Sequence, residues 1–439
     1  MKKIYETDPW LEPFKPAIEA RMTRLEAETE HIKGKAVRLS DGINNHLYYG
    51  LHRTESGWVF REWAPNATRM WMIGDFNNWK KAEAWALSPV GDGNWEIKLP
   101  AMFLRHGELY KLFVEWPGGG AERLPAYATR VVQDPETKVF SAQVWDAAPY
   151  KWQHKKPGRR PHPLIYECHI GMSSEQEKVA GFDDFRTQVL PRVHKLGYDT
   201  LQIMALQEHP YYGSFGYQVS NFYALSSRFG TPEQFKRLVD EAHALGIAVI
   251  MDIVHSHAVS NEIEGLGRFD GREDLYFYPG DAGRHPAWGS RCFDYGKDAV
   301  KYFLLSNCKF WMEEYHLDGF RFDGVTSMLY WDHGLGTDFG NYEIYFGQGV
   351  DENAVAYLGL ANTLIHELNP DAITIAEDVS GMPGLAAPQD AGGVGFDFRM
   401  AMGIADHWIK WIKEKQLRTH IFITAGVCML DIKCIMNLG

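Results

Sequence analysis

The sequence predicts an α/β protein: an incomplete (β/α)8 TIM barrel preceded by a β-sandwich and an N-terminal helix. Two changes of pattern carry this prediction. Between residues 164 and 415, short apolar runs alternate with longer helical stretches, and repeated strand–helix units form parallel sheets with right-handed crossovers. Between about 45 and 147, apolar residues recur with period two between turns rich in Gly, Pro and Asn, which is typical of a sandwich.

Bulk composition argues against several classes of function. With 439 residues, 45% of them hydrophobic, the chain is long enough for two or three domains. Its formal net charge of −12 argues against a nucleic acid or an anionic membrane as partner. No apolar run reaches the roughly 20 residues that a membrane span needs, and the first residues lack the apolar core of a secretory signal. Aromatic residues make up 14%, which suits a carbohydrate partner as well as a large core.

The cysteines predict a cytoplasmic protein with free thiols. Their number is odd, their spacing is wide, and no CxxC pair occurs, which is typical of a reducing compartment. The five are Cys168, Cys292, Cys308, Cys428 and Cys434.

The changes of pattern divide the chain into consecutive segments. An amphipathic helix is expected over roughly 9–31, because apolar residues recur at helical spacing from Trp10 onward and Asp8 can cap it. A basic, Pro-rich stretch is the best linker candidate. The segments are a helical one at 1–35, the sandwich at 36–150, the linker at 151–163, the partial barrel at 164–415 and an atypical tail at 416–439.

Six apolar runs are predicted as barrel strands, at 164–170, 200–205, 248–254, 320–323, 373–377 and 394–398. Between the third and fourth, apolar residues from Val300 to Tyr315 mark one face of a helix. A long insertion at about 256–296 follows the third strand, and we expect it to cover the mouth of the site.

Acidic residues stand where three of these strands end, which is where parallel α/β folds place their chemistry. Asp252 belongs to the third strand, Asp323 ends the fourth, and Glu377 ends the fifth. Retaining glycoside chemistry needs two carboxylates roughly 5–5.5 Å apart, one to attack and one to move a proton. Arg321, on the same strand face as Asp323, would hold that nucleophile ionised. Glu377 would need a raised pKa to donate a proton near neutrality.

Each residue also has an ordinary structural interpretation. An Asp after a strand is more often a helix cap or a turn residue, and Glu377 with Asp378 could be a solvated pair. The spacing of Asp252, His255 and His257 is compatible with a metal cluster, but no third His or Cys lies at ligand spacing. The joint pattern on successive strand ends favours catalysis.

These motifs resemble the α-amylase superfamily of glycoside hydrolases and, within it, the eukaryotic-type glycogen and starch branching enzymes. Residues 252–257, 319–323 and 375–378 are similar to three signatures of that family. The resemblance implies that Asp323 is the nucleophile and Glu377 the acid/base. It also implies sugar contacts from Tyr217, Asp252, His257 and Arg321. The β-rich region, with Trp-Ala-Pro at 63–65, resembles the starch-binding module that precedes the barrel in these enzymes.

The resemblance further implies a substrate and a reaction. An α-1,4-glucan (glycogen, amylose or starch) would be cut and its chain passed to a 6-hydroxyl, by a monomer that needs no metal or organic cofactor. Two alternatives stay open: an α-glucan hydrolase or debranching relative, and a catalytically impaired glucan-binding fragment. The fragment alternative rests on the tail, because the family's His–Asp pair at a seventh strand has no counterpart in 416–439. Only residues 421–424 there could form a strand.

Overall fold

The computed structural model describes residues 1–400 and 402–414. The predicted fold class is confirmed: short helices, a β-sandwich and a six-stranded parallel sheet follow one another along the chain. The predictions made for 416–439, including the strand at 421–424 and the thiols of Cys428 and Cys434, lie outside the described residues.

The N-terminal segment is a series of helices rather than the single helix predicted over 9–31. Pro13 has no backbone N–H to donate, so the chain first makes a 3-10 turn at Pro9–Phe14. Asp8 caps that turn by accepting the backbone N–H of Trp10 at 3.0 Å. The Trp10 side chain is 75% exposed, so it does not belong to the buried stripe. The helices are α1 (Ile4–Thr7), α2 (Lys15–Lys33), α3 (Leu39–Gly42) and α4 (Asn45–Tyr48).

Nine strands form the sandwich: β1 (Gly50–Thr54), β2 (Gly57–Trp63), β3 (Arg69–Gly74), β4 (Ser88–Gly91), β5 (Asn94–Pro100), β6 (Leu109–Trp116), β7 (Gly119–Arg123), β8 (Val131–Gln133) and β9 (Phe140–Gln143). One sheet has the order β1–β2–β5–β4, and the other has β3–β6–β9–β8 with β7 paired to β6. Along β5 the apolar Trp95, Ile97 and Leu99 are buried and alternate with more exposed residues. The inward side chains of both sheets share one apolar cluster with the barrel, so the two parts have a common core.

The barrel region contributes ten strands: β10 (Ile165–Cys168), β11 (Thr200–Ile203), β12 (Gln207–Glu208), β13 (Asn221–Leu225), β14 (Ala248–Ile253), β15 (Arg284–His285), β16 (Ser290–Arg291), β17 (Gly319–Phe322), β18 (Ile373–Glu377) and β19 (Phe398–Met400). Six of them form a parallel sheet in the order β10–β11–β14–β17–β18–β19, and β12–β13 and β15–β16 are antiparallel pairs. Neighbours in sequence are neighbours in space, which is the connectivity of a (β/α) barrel.

The sixth strand differs from the sequence prediction. It was expected at 394–398, but it begins at Phe398 and runs to Met400. The buried Val394 and Phe396 precede it, and their backbone N–H groups donate to the carbonyls of Gly384 and Leu385. The apolar run therefore packs on the loop after β18 before the strand starts.

Helices cover the outer face of the sheet: α5 (Phe182–Asp184), which a π turn at Phe185–Val189 joins to α6 (Leu190–Lys195), then α7 (Pro232–Ala244), α8 (Asp298–Glu314), α9 (Val325–Leu329), α10 (Glu352–Leu368) and α11 (Met402–Glu414). The apolar face predicted from Val300 to Tyr315 is confirmed, because both residues are fully buried on or beside α8. Helix α2 packs against α10, which ties the N-terminal segment to the barrel.

The period-two alternation of the strands decides which side chains point into the barrel. Ala248 and Ile250 on β14 and Ile373 and Ile375 on β18 form a small apolar cluster of their own. Residues of the opposite parity, such as Val249, belong to the large core under the helices. Any polar residue that keeps the parity of the inner cluster therefore lies inside the barrel.

Residues 151–163 carry no regular secondary structure, yet they are held against the amino ends of the strands. Asp240 of α7 accepts the backbone N–H groups of Gln153 and His154 at 3.0 and 2.9 Å. Lys156 donates to the carbonyl of Leu317 at 2.7 Å. These hydrogen bonds hold the stretch against the amino ends of the strands.

Candidate active site

Three acids and one arginine meet at the carboxyl ends of β14, β17 and β18. Asp252, Arg321 and Glu377 all keep the parity of the inner apolar cluster, and Asp323 follows β17 directly. Asp252 pairs in register with Arg321 across β14 and β17. Phe322 pairs with Ala376, so Asp323 and Glu377 are one step further along adjacent strands, at the same level. Adjacent strands are about 4.8 Å apart, which is close to the separation that retaining glycoside chemistry needs.

The Arg321 guanidinium joins the three acids. One terminal nitrogen lies 2.9 Å from Asp252 and 3.0 Å from Asp323, and the other lies 3.2 Å from Glu377. The planar fork of Arg is suited to hold several carboxylate oxygens in fixed directions. Arg321 therefore fixes the relative positions of both candidate catalytic acids.

A second contact holds Glu377 in place. Its other carboxylate oxygen accepts the backbone N–H of Gly324 at 2.8 Å. Gly324 has a φ of +63°, a conformation that few residues with a side chain adopt, and a Cβ there would lie 3.0 Å from the Ser256 hydroxyl. The turn after Asp323 thus positions the neighbouring acid as well as the nucleophile candidate.

Asp252 is buried below this pair and is fully hydrogen-bonded. Its carboxylate accepts from the Tyr217 hydroxyl at 2.7 Å, from Arg321, and from the Gln202 amide at 2.8 Å. Gln202 lies on β11 at an inward position and was missed in the sequence. The signal was present, because a Gln inside a buried apolar strand needs a polar partner.

The electrostatics of the cluster raise the pKa values of Asp323 and Asp252 above those of ordinary carboxyls. Burial raises the pKa of Asp323, the neighbouring charges of Glu377 and Asp252 raise it further, and Arg321 opposes them. Burial likewise raises the pKa of Asp252 to about 6, although Arg321 and the Tyr217 hydroxyl act to lower it. The sequence predicted that Arg321 would hold Asp323 ionised. Its charge acts in that direction, but this one cation, which also contacts Asp252 and Glu377, does not outweigh the burial of Asp323.

His257 lies beside the cluster, but its ring is already engaged within the protein. One ring nitrogen, Nε2, donates to the Tyr217 carbonyl at 2.7 Å, and Nδ1 lies 2.9 Å from the Ser256 hydroxyl. Burial lowers the pKa of His257 to about 4, so the ring is neutral near pH 7. A hydrogen bond to a sugar hydroxyl, as predicted for His257, would require the exchange of one of these contacts.

The metal alternative fails on the geometry of His255. Its two ring nitrogens lie 2.6 Å from the Tyr357 hydroxyl and 3.0 Å from the Asn307 amide oxygen, within the packing of α8 and α10. Within residues 1–400 and 402–414, no group of three His, Cys, Asp or Glu side chains is arranged to hold a metal ion. Nor is any helix in this part of the chain long and apolar enough to cross a membrane.

An open cleft of about 640 Å³ lies above the acids, and Asp323, Glu377, Tyr217 and His257 all line it. The rest of its lining includes the β15–β16 turn of the insertion, which the sequence placed over the mouth of the site, and a loop near residue 333 that the sequence did not identify. They contribute Trp288, His333 and Leu335. A cleft of this size with aromatic walls and a few convergent polar groups is typical of a ligand site.

Two stretches of the sequence match known domain families. Residues 48–135 match Carbohydrate-binding module 48 (Isoamylase N-terminal domain), which covers most of the sandwich. Residues 186–272 match Alpha amylase, catalytic domain, which covers the second and third strands of the parallel sheet.

Curated relatives extend the match over nearly the whole chain. The 1,4-alpha-glucan-branching enzyme of Aspergillus oryzae is 47% identical over 424 residues, which are 94% of this chain and 61% of that protein. The enzyme of the same name from Equus caballus is 44% identical over 425 residues, 94% of this chain and 60% of that protein. The chain thus spans about three fifths of the length of these relatives.

A solved structure supports the fold. The catalytic module of a glycogen-degrading pneumococcal virulence factor superposes with a TM-score of 0.60 at 19% identity, over 81% of this chain and 52% of that one. Together with the acids at the strand ends, these findings define a protein of the α-amylase class. Within that class the chain belongs to the family of 1,4-α-glucan-branching enzymes.

Proposed function

We propose that the protein is a 1,4-α-glucan branching enzyme that works by two successive displacements at one sugar carbon. The single observation that carries this proposal is the Arg321 guanidinium, which holds Asp323 and Glu377 on adjacent strands of one sheet edge. The names of the relatives support branching over other reactions of the class. The substrate would be an α-1,4-glucan such as glycogen, amylose or starch.

In the first step, an oxygen of Asp323 bonds to the anomeric carbon while the α-1,4 bond breaks. Glu377 gives its proton to the departing oxygen. In the second step, the 6-hydroxyl of an acceptor glucose bonds to the same carbon, the bond to Asp323 breaks, and Glu377 takes the proton of that hydroxyl. Two inversions retain the configuration. The scheme uses only side chains of this chain and requires no cofactor.

Arg321 and Asp252 have supporting roles in this scheme. A bound sugar chain displaces water from the cleft, and positive charge that develops at its anomeric carbon favours an ionised Asp323. The proton that Asp323 gives up passes to Glu377, which then donates it to the departing oxygen. Tyr217, whose hydroxyl donates to Asp252, presents its ring to the cleft beneath the reacting sugar.

Because all these residues come from one chain, we propose a monomer. The free thiols of Cys168, Cys292 and Cys308 support a reducing, cytoplasmic location.

The test compares Asp323→Ala with the wild-type protein. We expect the fall in iodine staining of amylose to disappear, with a loss of at least about 10⁴-fold in rate, because no other side chain can form the covalent intermediate. Asp281→Asn, an exposed acid of the insertion, is the control and should keep full activity.

Counting products separates the proposal from its alternatives. New α-1,6 bonds in the wild type support branching. New reducing ends without α-1,6 bonds would instead indicate a hydrolase or debranching enzyme. Glucan binding without any product would indicate a binding protein, and unchanged branching in Asp323→Ala would refute the role of that acid.

A further inference from the structure

Trp288 is an exposed tryptophan at the edge of the reaction site. It lies in the turn between β15 and β16, lines the cleft, and is 42% exposed. Exposing so much of an indole next to buried acids costs free energy, because apolar area is left in water. An exposed aromatic ring in a cleft is therefore a candidate contact for a ligand.

The indole is held rigidly from one side. The imidazole of His285 stacks flat against it, with ring centres 3.8 Å apart and planes 3° from parallel. His285 is itself buried and packs on the ring of His333 at 4.4 Å. The backbone N–H of Trp288 donates to Nδ1 of His285 at 3.2 Å, so the same imidazole fixes both the turn and the ring. The exposed area of Trp288 therefore belongs to the parts of the residue that His285 does not cover.

The same ring lies next to the catalytic pair. A Cβ at Gly324 would stand only 3.2 Å from the outer carbon Cη2 of the indole, so the glycine leaves room for Trp288. Gly324 follows Asp323 directly and donates its N–H to Glu377. The indole also lies 4.9 Å from the ring of His257, centre to centre. Trp288 therefore borders the side of the site on which Glu377 exchanges protons with the departing or entering oxygen.

From this arrangement we infer that Trp288 is the stacking platform for the glucose ring that occupies the acceptor position. This inference rests on the proposed function and adds a determinant of its outcome. In the second step, water and a glucose hydroxyl compete for the carbon bonded to Asp323. Either nucleophile gives its proton to Glu377 as the bond to Asp323 breaks. A sugar ring stacked on Trp288 places its hydroxyl at the carbon and excludes water, so transfer exceeds hydrolysis.

His285 is then a positioning residue for Trp288. Its Nδ1 accepts a backbone N–H, so the ring proton is on Nε2, which is buried without a hydrogen-bond partner. A buried N–H without a hydrogen-bond partner destabilises the folded chain. We attribute the histidine at this position to its second role, which is to hold the indole of Trp288 flat. Replacing His285 should therefore loosen Trp288 without touching the reacting sugar.

The experiment measures, for each variant acting on amylose, the ratio of new reducing ends to new α-1,6 bonds. Trp288→Ala should raise this ratio about tenfold and raise the KM for a short acceptor glucan, while cleavage of the donor continues. Trp288→Phe keeps an aromatic face and should fall between Ala and wild type. His285→Ala should shift the ratio in the same direction by a smaller factor.

Trp331→Ala is the matched control. Trp331 is 43% exposed, packs edge-on against Tyr278 at 5.1 Å, and does not line the cleft. Its ratio should stay within about twofold of wild type. The inference is overturned if Trp288→Ala and Trp288→Phe keep the wild-type ratio, or if Trp331→Ala shifts it equally. A wild-type protein without glucan products would refute the proposed function itself, whereas an unchanged ratio in an active Trp288 variant refutes only the platform.

Discussion

Acids stand at both ends of the same parallel sheet, and the two ends pair them differently. At the amino ends, Asp199, Asp318 and Asp397 each directly precede a strand. Each accepts a hydrogen bond from a backbone N–H at the start of a neighbouring strand. At the carboxyl ends, by contrast, Asp252 and Asp323 point into the barrel with few backbone donors.

The basic side chains around the acids differ in the same way. Asp318 has His243 at 2.8 Å, and Asp397 has its own His366 at 3.0 Å and Arg159 at 3.2 Å. Burial acts to raise the pKa of Asp397, but the hydrogen bond and charge of His366 hold it below its ordinary value. At the carboxyl ends, three acids share Arg321, and the pKa values of Asp252 and Asp323 rise.

The difference separates stability from chemistry. Acids that already have hydrogen-bond donors and a basic partner, here called matched acids, help to hold the folded chain together. They have no free capacity to interact with a ligand. Acids that outnumber their cation keep raised pKa values and can stabilise further positive charge, which the oxocarbenium-like sugar of the proposed reaction would supply. Perturbed carboxyls in a cleft therefore mark the reactive end of this sheet, and matched carboxyls mark the structural end.

Among the variants that test this contrast, Arg321→Ala is expected to have the largest effect. Without the shared cation, Asp252 and Asp323 remain protonated and Glu377 loses its fixed direction. Branching activity should fall by at least about 10³-fold, and the free energy of unfolding by about 3–5 kcal/mol. Arg321→Lys keeps the charge but reaches fewer of the three acids, so most of the activity loss should persist. Iodine-staining rates and urea unfolding measure both effects; an Arg321→Lys variant with wild-type rates would contradict the shared-cation account.

Removing a matched acid should produce the opposite pattern. Asp318→Ala leaves His243 buried without its partner and frees the backbone N–H of Val249. The free energy of unfolding should fall by about 3–5 kcal/mol, while kcat measured well below the melting temperature stays within about twofold of wild type. Comparable losses of kcat and stability in this variant would show that the two ends of the sheet are not independent.

Much of this contrast could be predicted from the sequence, because it depends on strand position. Five of the six barrel strands follow from apolar runs, and three of those runs carry an acid at the carboxyl end: Asp252, Asp323 and Glu377. The sharing of Arg321 by three acids could not be predicted, since it depends on the register between β14, β17 and β18. The hydrogen bond from Nε2 of His257 and the hydrogen bond from the Gly324 N–H to Glu377 depend in the same way on contacts between residues far apart in the chain.

The insertion shows a different limit of sequence reasoning. Its position over the cleft was expected, but nothing in the run His285-Pro-Ala-Trp288 indicates that two rings separated by two residues will stack. That contact arises from the tight turn between β15 and β16, closed by the Gly289 N–H on the His285 carbonyl at 2.9 Å. Trp10 is the converse case, because helical spacing assigned it to a buried face that Pro13 disrupts.

The smallest effect is expected on the free energy of unfolding, through the ionisation of Asp323 at high pH. Because the pKa of Asp323 is higher in the folded chain than in the unfolded one, its contribution to stability is complete below about pH 4 and is lost as the pH rises. Asp323→Asn removes the charge but keeps the shape. It should therefore raise the free energy of unfolding by about 1–2 kcal/mol at pH 8 and leave it nearly unchanged at pH 4. Urea unfolding at both pH values, with Asp281→Asn as control, measures this difference. A larger gain at pH 4 than at pH 8 would mean that Arg321 keeps Asp323 ionised after all, and that the acids of the cleft are matched like those at the amino ends.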